Sequence, residues 1–226
     1  PDTVSVGPSY VDKQLFGSRH RLSEAVKLVF NRDDGSFEGG FGTVALGLPL
    51  YSLAARWGWQ LDVAFQHLVV RQFQSGELAR YPLDATEDAS VPWVYRDRYL
   101  RAQLALLHSR SQERETEPTR PSDAPIFKHD LSLGWRVELR DPSVPDRAAL
   151  DRAALARFEQ EVLPRYRQDS YPFFSYRLWE PSYLATLNME TLGLAEDLQL
   201  GHDVTLSWGV GAQAWGSSES FFTAVA

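Results

Sequence analysis

From Ala55 to Val69 the chain alternates. Ala55, Trp57, Trp59, Leu61, Val63, Phe65 and Val69 fall on one parity, and Arg56, Gly58, Gln60, Asp62, Ala64 and Gln66 on the other. Side chains that switch faces at every residue belong to a strand, so this period of two commits the segment to a β-strand with one apolar and one polar side. The pattern returns in Phe127, Leu131, Leu133, Trp135, Val137 and Leu139, set against Lys128, Asp130, Ser132, Gly134, Arg136 and Glu138. Weaker copies run from Leu22 to Arg32, Phe37 to Leu48, Tyr95 to His108, Phe174 to Glu190 and His202 to Gln213, with a short one at Thr3 to Leu15 and another opening near Ser220. The sum is about nine strands with almost no helix between them, which reads as an all-β antiparallel meander.

Turn chemistry places the connections. Asp33-Asp34-Gly35-Ser36 is a tight hairpin signal, and Phe16-Gly17-Ser18-Arg19 and Pro49-Leu50-Tyr51-Ser52 read as short turns. Longer polar connections are expected from Gln72 to Ser90, Ser109 to Pro125 and Asp141 to Pro172. The last holds one expected helix, from about Asp146 to Arg167, with Pro145-Asp146 as its start and Leu150, Leu155, Phe158, Val162 and Tyr166 as its apolar stripe. It is read as an insertion in a loop, packed on that loop or on the end of a sheet.

Composition narrows the function classes. The 226 residues carry 23 basic and 30 acidic side chains, a net charge of -7, and no basic run interleaved with aromatics, which argues against a nucleic-acid partner. The stretch from Val44 to Ala55 is broken by Gly47, Pro49 and Ser52, too short for the roughly 20 apolar residues of a spanning helix. Seven Trp, nine Tyr and twelve Phe stand against one Met. Large amphipathic rings near strand ends, as at Trp57, Trp59, Phe127 and Trp208, suit the interfaces of a membrane barrel, and strands of about 13 residues suit a tilted crossing. Alternation by itself leaves a soluble barrel with an apolar interior open as well.

Sites of chemistry are sparse. The five histidines, His20, His67, His108, His129 and His202, show no metal-ligand spacing, and His67 and His129 fall in the apolar series close to strand ends, at headgroup depth. His108-Ser109 with Asp130 has the residue types of a hydrolase but no nucleophile elbow around the serine. Gly39, Gly40, Gly42 and Gly47 lie within a strand, where bulges or close backbone approach account for them. Arg56, Asp62, Arg101, Lys128, Asp130, Arg136 and Glu138 could set the ionic selectivity of a pore, but are expected rather to pair with one another across the polar face. No catalytic, cofactor-binding or metal-ligating residue is assigned, no cofactor is expected, and the chain is read as non-enzymatic.

The segment Gly7-Pro8-Ser9-Tyr10-Val11-Asp12-Lys13-Gln14-Leu15-Phe16-Gly17-Ser18-Arg19-His20-Arg21-Leu22 resembles the start of the barrel in the bacterial surface antigen family, the outer-membrane assembly proteins of BamA and TamA type. Asp12, Leu15, Phe16, Gly17 and Leu22 match its strand, turn and strand, while Gln14 stands where Asn is usual and Arg19 where a second Gly is common. Leu48-Pro49-Leu50-Tyr51 is similar to that family's Pro-aromatic turn, and Glu196-Asp197-Leu198-Gln199-Leu200-Gly201 resembles a later strand opening. The family's Val-Arg-Gly-aromatic tetrad is absent. The resemblance implies that residues 1–226 are the N-terminal portion of a transmembrane β-barrel in the bacterial outer membrane, with the helical insertion at about 146–167. It further implies contact with membrane lipid, polypeptide clients or other assembly subunits as partners, and a role in inserting or translocating polypeptides at a weakly paired first strand. A passive pore or structural barrel, and a soluble lipid-binding β-barrel with inverted faces, are the alternatives.

Overall fold

A computed structural model of the chain describes residues 2–51, 54–82, 90–111, 127–187 and 195–226. Ten strands join in one antiparallel sheet: β1 (Thr3–Val6), β2 (Ser9–Asp12), β3 (Arg21–Asn31), β4 (Phe37–Leu48), β5 (Trp57–Arg71), β6 (Val94–Ser111), β7 (Lys128–Ser143), β8 (Arg167–Trp179), β9 (Asp203–Gly211) and β10 (Phe221–Val225). From β3 onward each strand pairs with the next, so the sheet is the expected meander.

β1 and β2 lie end to end on the same side of β3. Thr3 faces Asn31 and Asp12 faces Leu22, and one register runs through both strands. Gly7 and Pro8 interrupt them: position 7 has no room for a Cβ, which would overlap the Val26 carbonyl, and proline has no N–H to give the ladder. The far edge is β10, paired only with β9. No pairing joins β10 to β1 or β2 among the described residues, so the sheet is open.

The hairpin between β3 and β4 forms at Asp33 to Ser36 as expected. Gly35 takes a left-handed φ of 70°, and the Ser36 hydroxyl and N–H, bonded to the Asp34 carboxyl, hold it below its ordinary value. Past the turn the register slips between Val29 and Phe30 opposite Gly39, which has φ 134°. A Cβ there would overlap the His67 carbonyl, so the glycine run does mark a bulge and a close backbone approach.

Two expectations are corrected. The helix α1 is Arg152–Glu161, capped by the Asp151 carboxylate on the Ala154 N–H, with a separate 3-10 turn at Arg147–Ala149; it does not extend from Asp146 to Arg167. Leu163-Pro164 ends it, and Tyr166 projects into solvent rather than joining the stripe. β8 begins at Arg167, inside the segment read as a connection, and runs through Pro172. Proline is tolerated there because it points to the same side as Ser170, where the ladder to β9 has already stopped at Phe173. Beyond it, Ser217 and Ser218 take over the missing strand. The Ser217 hydroxyl accepts from the Ser170 N–H and donates to its carbonyl, both at 2.9 Å, and the Ser218 hydroxyl accepts from the Gln168 N–H.

The buried apolar cluster gathers at one end of the sheet. Phe158 of α1 is fully buried, with Val91, Val144, Ala154 and Leu155 around it and Tyr81, Trp93 and Tyr95 packed on them. Phe158 meets Trp93 at 6.2 Å and Tyr81 at 5.9 Å, both edge-on. Tyr95 shares its strand face with Asp97 two residues on, so the helix sits over one end of the polar face rather than on a detached loop.

Candidate functional site: two opposite faces of one sheet

Leu131, Leu133, Trp135 and Val137 are exposed, with Leu133 61% accessible, while Ser132, Gly134, Arg136 and Glu138 between them are partly buried. Registers carry that division across the sheet. Leu133 faces Leu106 on β6 and Phe174 on β8; Leu106 faces Trp59, and Phe174 faces Trp208. On the other side Arg136 faces Gln103, which faces Asp62, and Tyr171. On β7 the apolar row is therefore the more accessible of the two and the polar row the more covered.

The polar face is concave. A cavity of about 360 Å³ has Gln60 and Asp62 of β5 at one side and Thr223 and Val225 of β10 at the other, a reach of five strand steps that a flat sheet does not allow. Arg136 is among its lining residues. The guanidinium donates from Nε and Nη2 to the Gln103 side-chain Oε1 at 2.8 and 2.6 Å and from Nη1 to the Tyr171 hydroxyl at 3.2 Å, and it lies 5.3 Å from the centre of the Phe173 ring. Its carboxylate contact is Glu138 at 3.9 Å.

The expected pairing of polar-face charges is only partly realised. Asp130 accepts from the Ser109 hydroxyl and from Trp179 Nε1, and Lys128, buried, stacks on Trp179. Asp62 accepts from Gln60 rather than from a cation, and Arg101 and Arg56 make no ion pair among the described residues. The strong pairs lie elsewhere. Arg140 grips Asp97 with two bonds of 2.9 Å, and Arg71 grips Glu38, which also accepts from Asn31 at 3.0 Å; Arg71 reaches Asp2 at 3.3 Å as well. These fasten β6 to β7 and the first strands to β5. Their members are far apart in sequence, so alternation could mark them as inward but could not match partners.

The hydrolase arrangement is taken apart by the pleat. Ser109 and Asp130 meet inside, but His108 is on the outer face, its ring 4.3 Å from that of Trp57. His67 and His129 also fall on outward rows near strand ends; His129 Nδ1 is 2.7 Å from the Tyr176 hydroxyl. No cluster of three or more metal-ligating side chains occurs among the described residues.

The outer apolar rows have bounded height. On β6 they run from Leu100 to His108, with Arg98 before and Arg110 after; on β7 the same rows end at Asp141 and His129. Arg98 and Asp141 face each other 3.8 Å apart at one rim, and Arg110 faces His129 at the other. Glu24, outward on β3 opposite Tyr10, interrupts the row beside the first edge, and Val26 and Leu28 resume it.

Compared with known proteins, the chain matches no protein-family model, no curated protein and no solved structure.

Proposed function

We propose that the chain is part of a transmembrane β-barrel of the bacterial outer membrane, non-enzymatic, that takes part in inserting or translocating polypeptides there. The observation that carries the membrane reading is the outward apolar belt and its charged limits. Arg98 and Arg110 are twelve residues apart. At about 3.4 Å per residue and a tilt of 35–45°, that separation projects to roughly 30 Å, the thickness of a bilayer's hydrocarbon core. Trp57, 65% accessible, Trp59 and Tyr176 sit just inside the Arg110 rim, where interfacial rings belong.

The polypeptide role rests on the likeness of residues 7–22 to the assembly barrels and on the character of the first edge. β1 and β2 are four residues each, split by Gly7-Pro8, and leave Val4 and Val6 exposed. A short, broken edge strand is a weak partner for its neighbour and a template for an added strand. In lipid the unpaired N–H and C=O groups of this edge and of β10 need partners, which strands of the same barrel or of a client would supply. A soluble lipid-binding barrel would turn Leu133 and Leu106 inward, opposite to their exposure. The polar cavity at Arg136 favours a pore as the second reading, in which the lumen passes small solutes.

The test is crosslinking from photoreactive groups placed at Val4 and Val6 in cells exporting barrel proteins. Adducts with nascent outer-membrane polypeptides are expected; labelled sites that capture only lipid would leave the pore reading. Migration on an SDS gel that changes on boiling would accompany either barrel, and a monodisperse sample in plain buffer would remove both.

A further inference from the structure

At the rim where β5 begins, the outer face carries a repeated pairing of an aromatic ring with a cationic or imidazole group. His108 lies edge-on to Trp57 with centroids 4.3 Å apart, and His20 lies 5.6 Å from Trp59. His129 Nδ1 is 2.7 Å from the Tyr176 hydroxyl, and the Arg19 guanidinium stacks 4.9 Å over Tyr51 while donating to its hydroxyl. Trp57, His108, Leu131 and Tyr176 form one continuous cross-strand row, and Arg110 and His129 form the row above it. Among the described residues none of these five nitrogen groups is ion-paired. At the opposite rim, Arg98 is already matched by Asp141.

We infer that this collar binds the phosphates of anionic lipid headgroups. The inference rests on the membrane reading and deepens it by assigning one rim a lipid chemistry. Each ring anchors in the upper acyl region and orients the nitrogen group beside it toward the headgroup layer. A guanidinium offers a phosphate paired N–H donors, and an imidazole N–H adds a single one. Arg19 and Arg110 supply the fixed charge. His20, His108 and His129 supply donors spaced around the same curve. Arg19 lies in the polar turn between β2 and β3, at the same end of the sheet as the start of β5.

Trp fluorescence of the protein reconstituted in vesicles of phosphatidylcholine with brominated acyl chains tests both levels. Bromine should quench the outward tryptophans. Absence of quenching would overturn the membrane reading and the collar with it. With quenching established, unbrominated phosphatidylglycerol is titrated in, and relief is expected to exceed simple dilution, with a relative binding constant of roughly fivefold in favour of the anionic lipid. Relief in proportion to dilution would overturn the collar alone. Arg110→Gln, at an exposed position, and the double variant Arg19→Gln with Arg110→Gln should bring the preference close to one, whereas Arg98→Gln should leave it unchanged. Equal loss in Arg98→Gln would also overturn the assignment. Millimolar inorganic phosphate should not displace the lipid preference; if it does, the cations serve a soluble anion and the headgroup proposal falls.

Discussion

His108 and Ser109 are neighbours in the chain and occupy opposite environments: the imidazole lies against Trp57 on the outer face, and the serine hydroxyl donates to the Asp130 carboxylate on the inner one. One peptide unit separates a surface proposed to meet lipid from a buried polar cluster. That is the pleat acting at a single step, and it means that adjacent substitutions should behave differently.

Leu133→Arg is expected to cost about 2–4 kcal/mol in lipid vesicles, because it places a guanidinium at mid-belt, while Ser132→Arg, one residue away on the concave face, costs little. The same contrast is expected between Leu61→Arg and Gln60→Arg. Urea unfolding from vesicles measures it. Leu133 is 61% accessible without lipid, so an arginine there would be near neutral in a water-soluble protein; equal small costs for both members of each pair would refute the membrane-facing assignment.

Phe158→Ala should destabilise the helical cap by about 3–5 kcal/mol, the range for emptying a fully buried aromatic site. A helix lying loosely on a loop would lose far less. Limited proteolysis at residues 146–166 reports the difference, with Tyr166→Ala, at an exposed position, as the variant that should leave protection intact.

Removing the hydroxyl in Ser217→Ala leaves both the Ser170 N–H and its carbonyl without the partner that replaces a strand. A cost of about 1–3 kcal/mol is expected. Amide exchange at Ser170 should accelerate while exchange at Tyr176, within the paired part of β8, stays slow; unchanged exchange at Ser170 would show that water serves as well.

For Arg71 and Glu38 the asymmetry of the pair is the test. The Glu38 side chain is 5% accessible and that of Arg71 20%. Arg71→Ala strands a buried carboxylate and should cost about 3–5 kcal/mol, whereas Arg71→Met together with Glu38→Leu should recover most of that loss. Thermal unfolding of the two variants gives the comparison, and a double variant as unstable as the single one would argue that the pair has a purpose beyond neutralising itself.

Alternation was enough to place β3 to β7 within a few residues and to divide each of those strands into two faces, because the direction of a side chain in a strand depends only on parity. Turn chemistry was enough for Asp33 to Ser36, where Gly35 alone supplies the left-handed backbone. Sequence reading failed at Pro172, since whether a strand can contain proline depends on where the neighbouring ladder ends. For α1 the helical stripe was read too long, because the sequence shows apolar spacing but not the Trp93 and Tyr81 rings that select Phe158 and leave Tyr166 outside.

The sequence by itself determined that Leu133 and Arg136 point to opposite sides. Which side turns outward was settled only by the curvature of the sheet, a property of strands far apart in the chain, since a period of two is the same pattern viewed from either face. The pairing of Arg71 with Glu38, and of Arg140 with Asp97, likewise belongs to the tertiary structure alone: ion pairs follow from register across strands, and register is fixed by the accumulated fit of whole strands rather than by any local sequence.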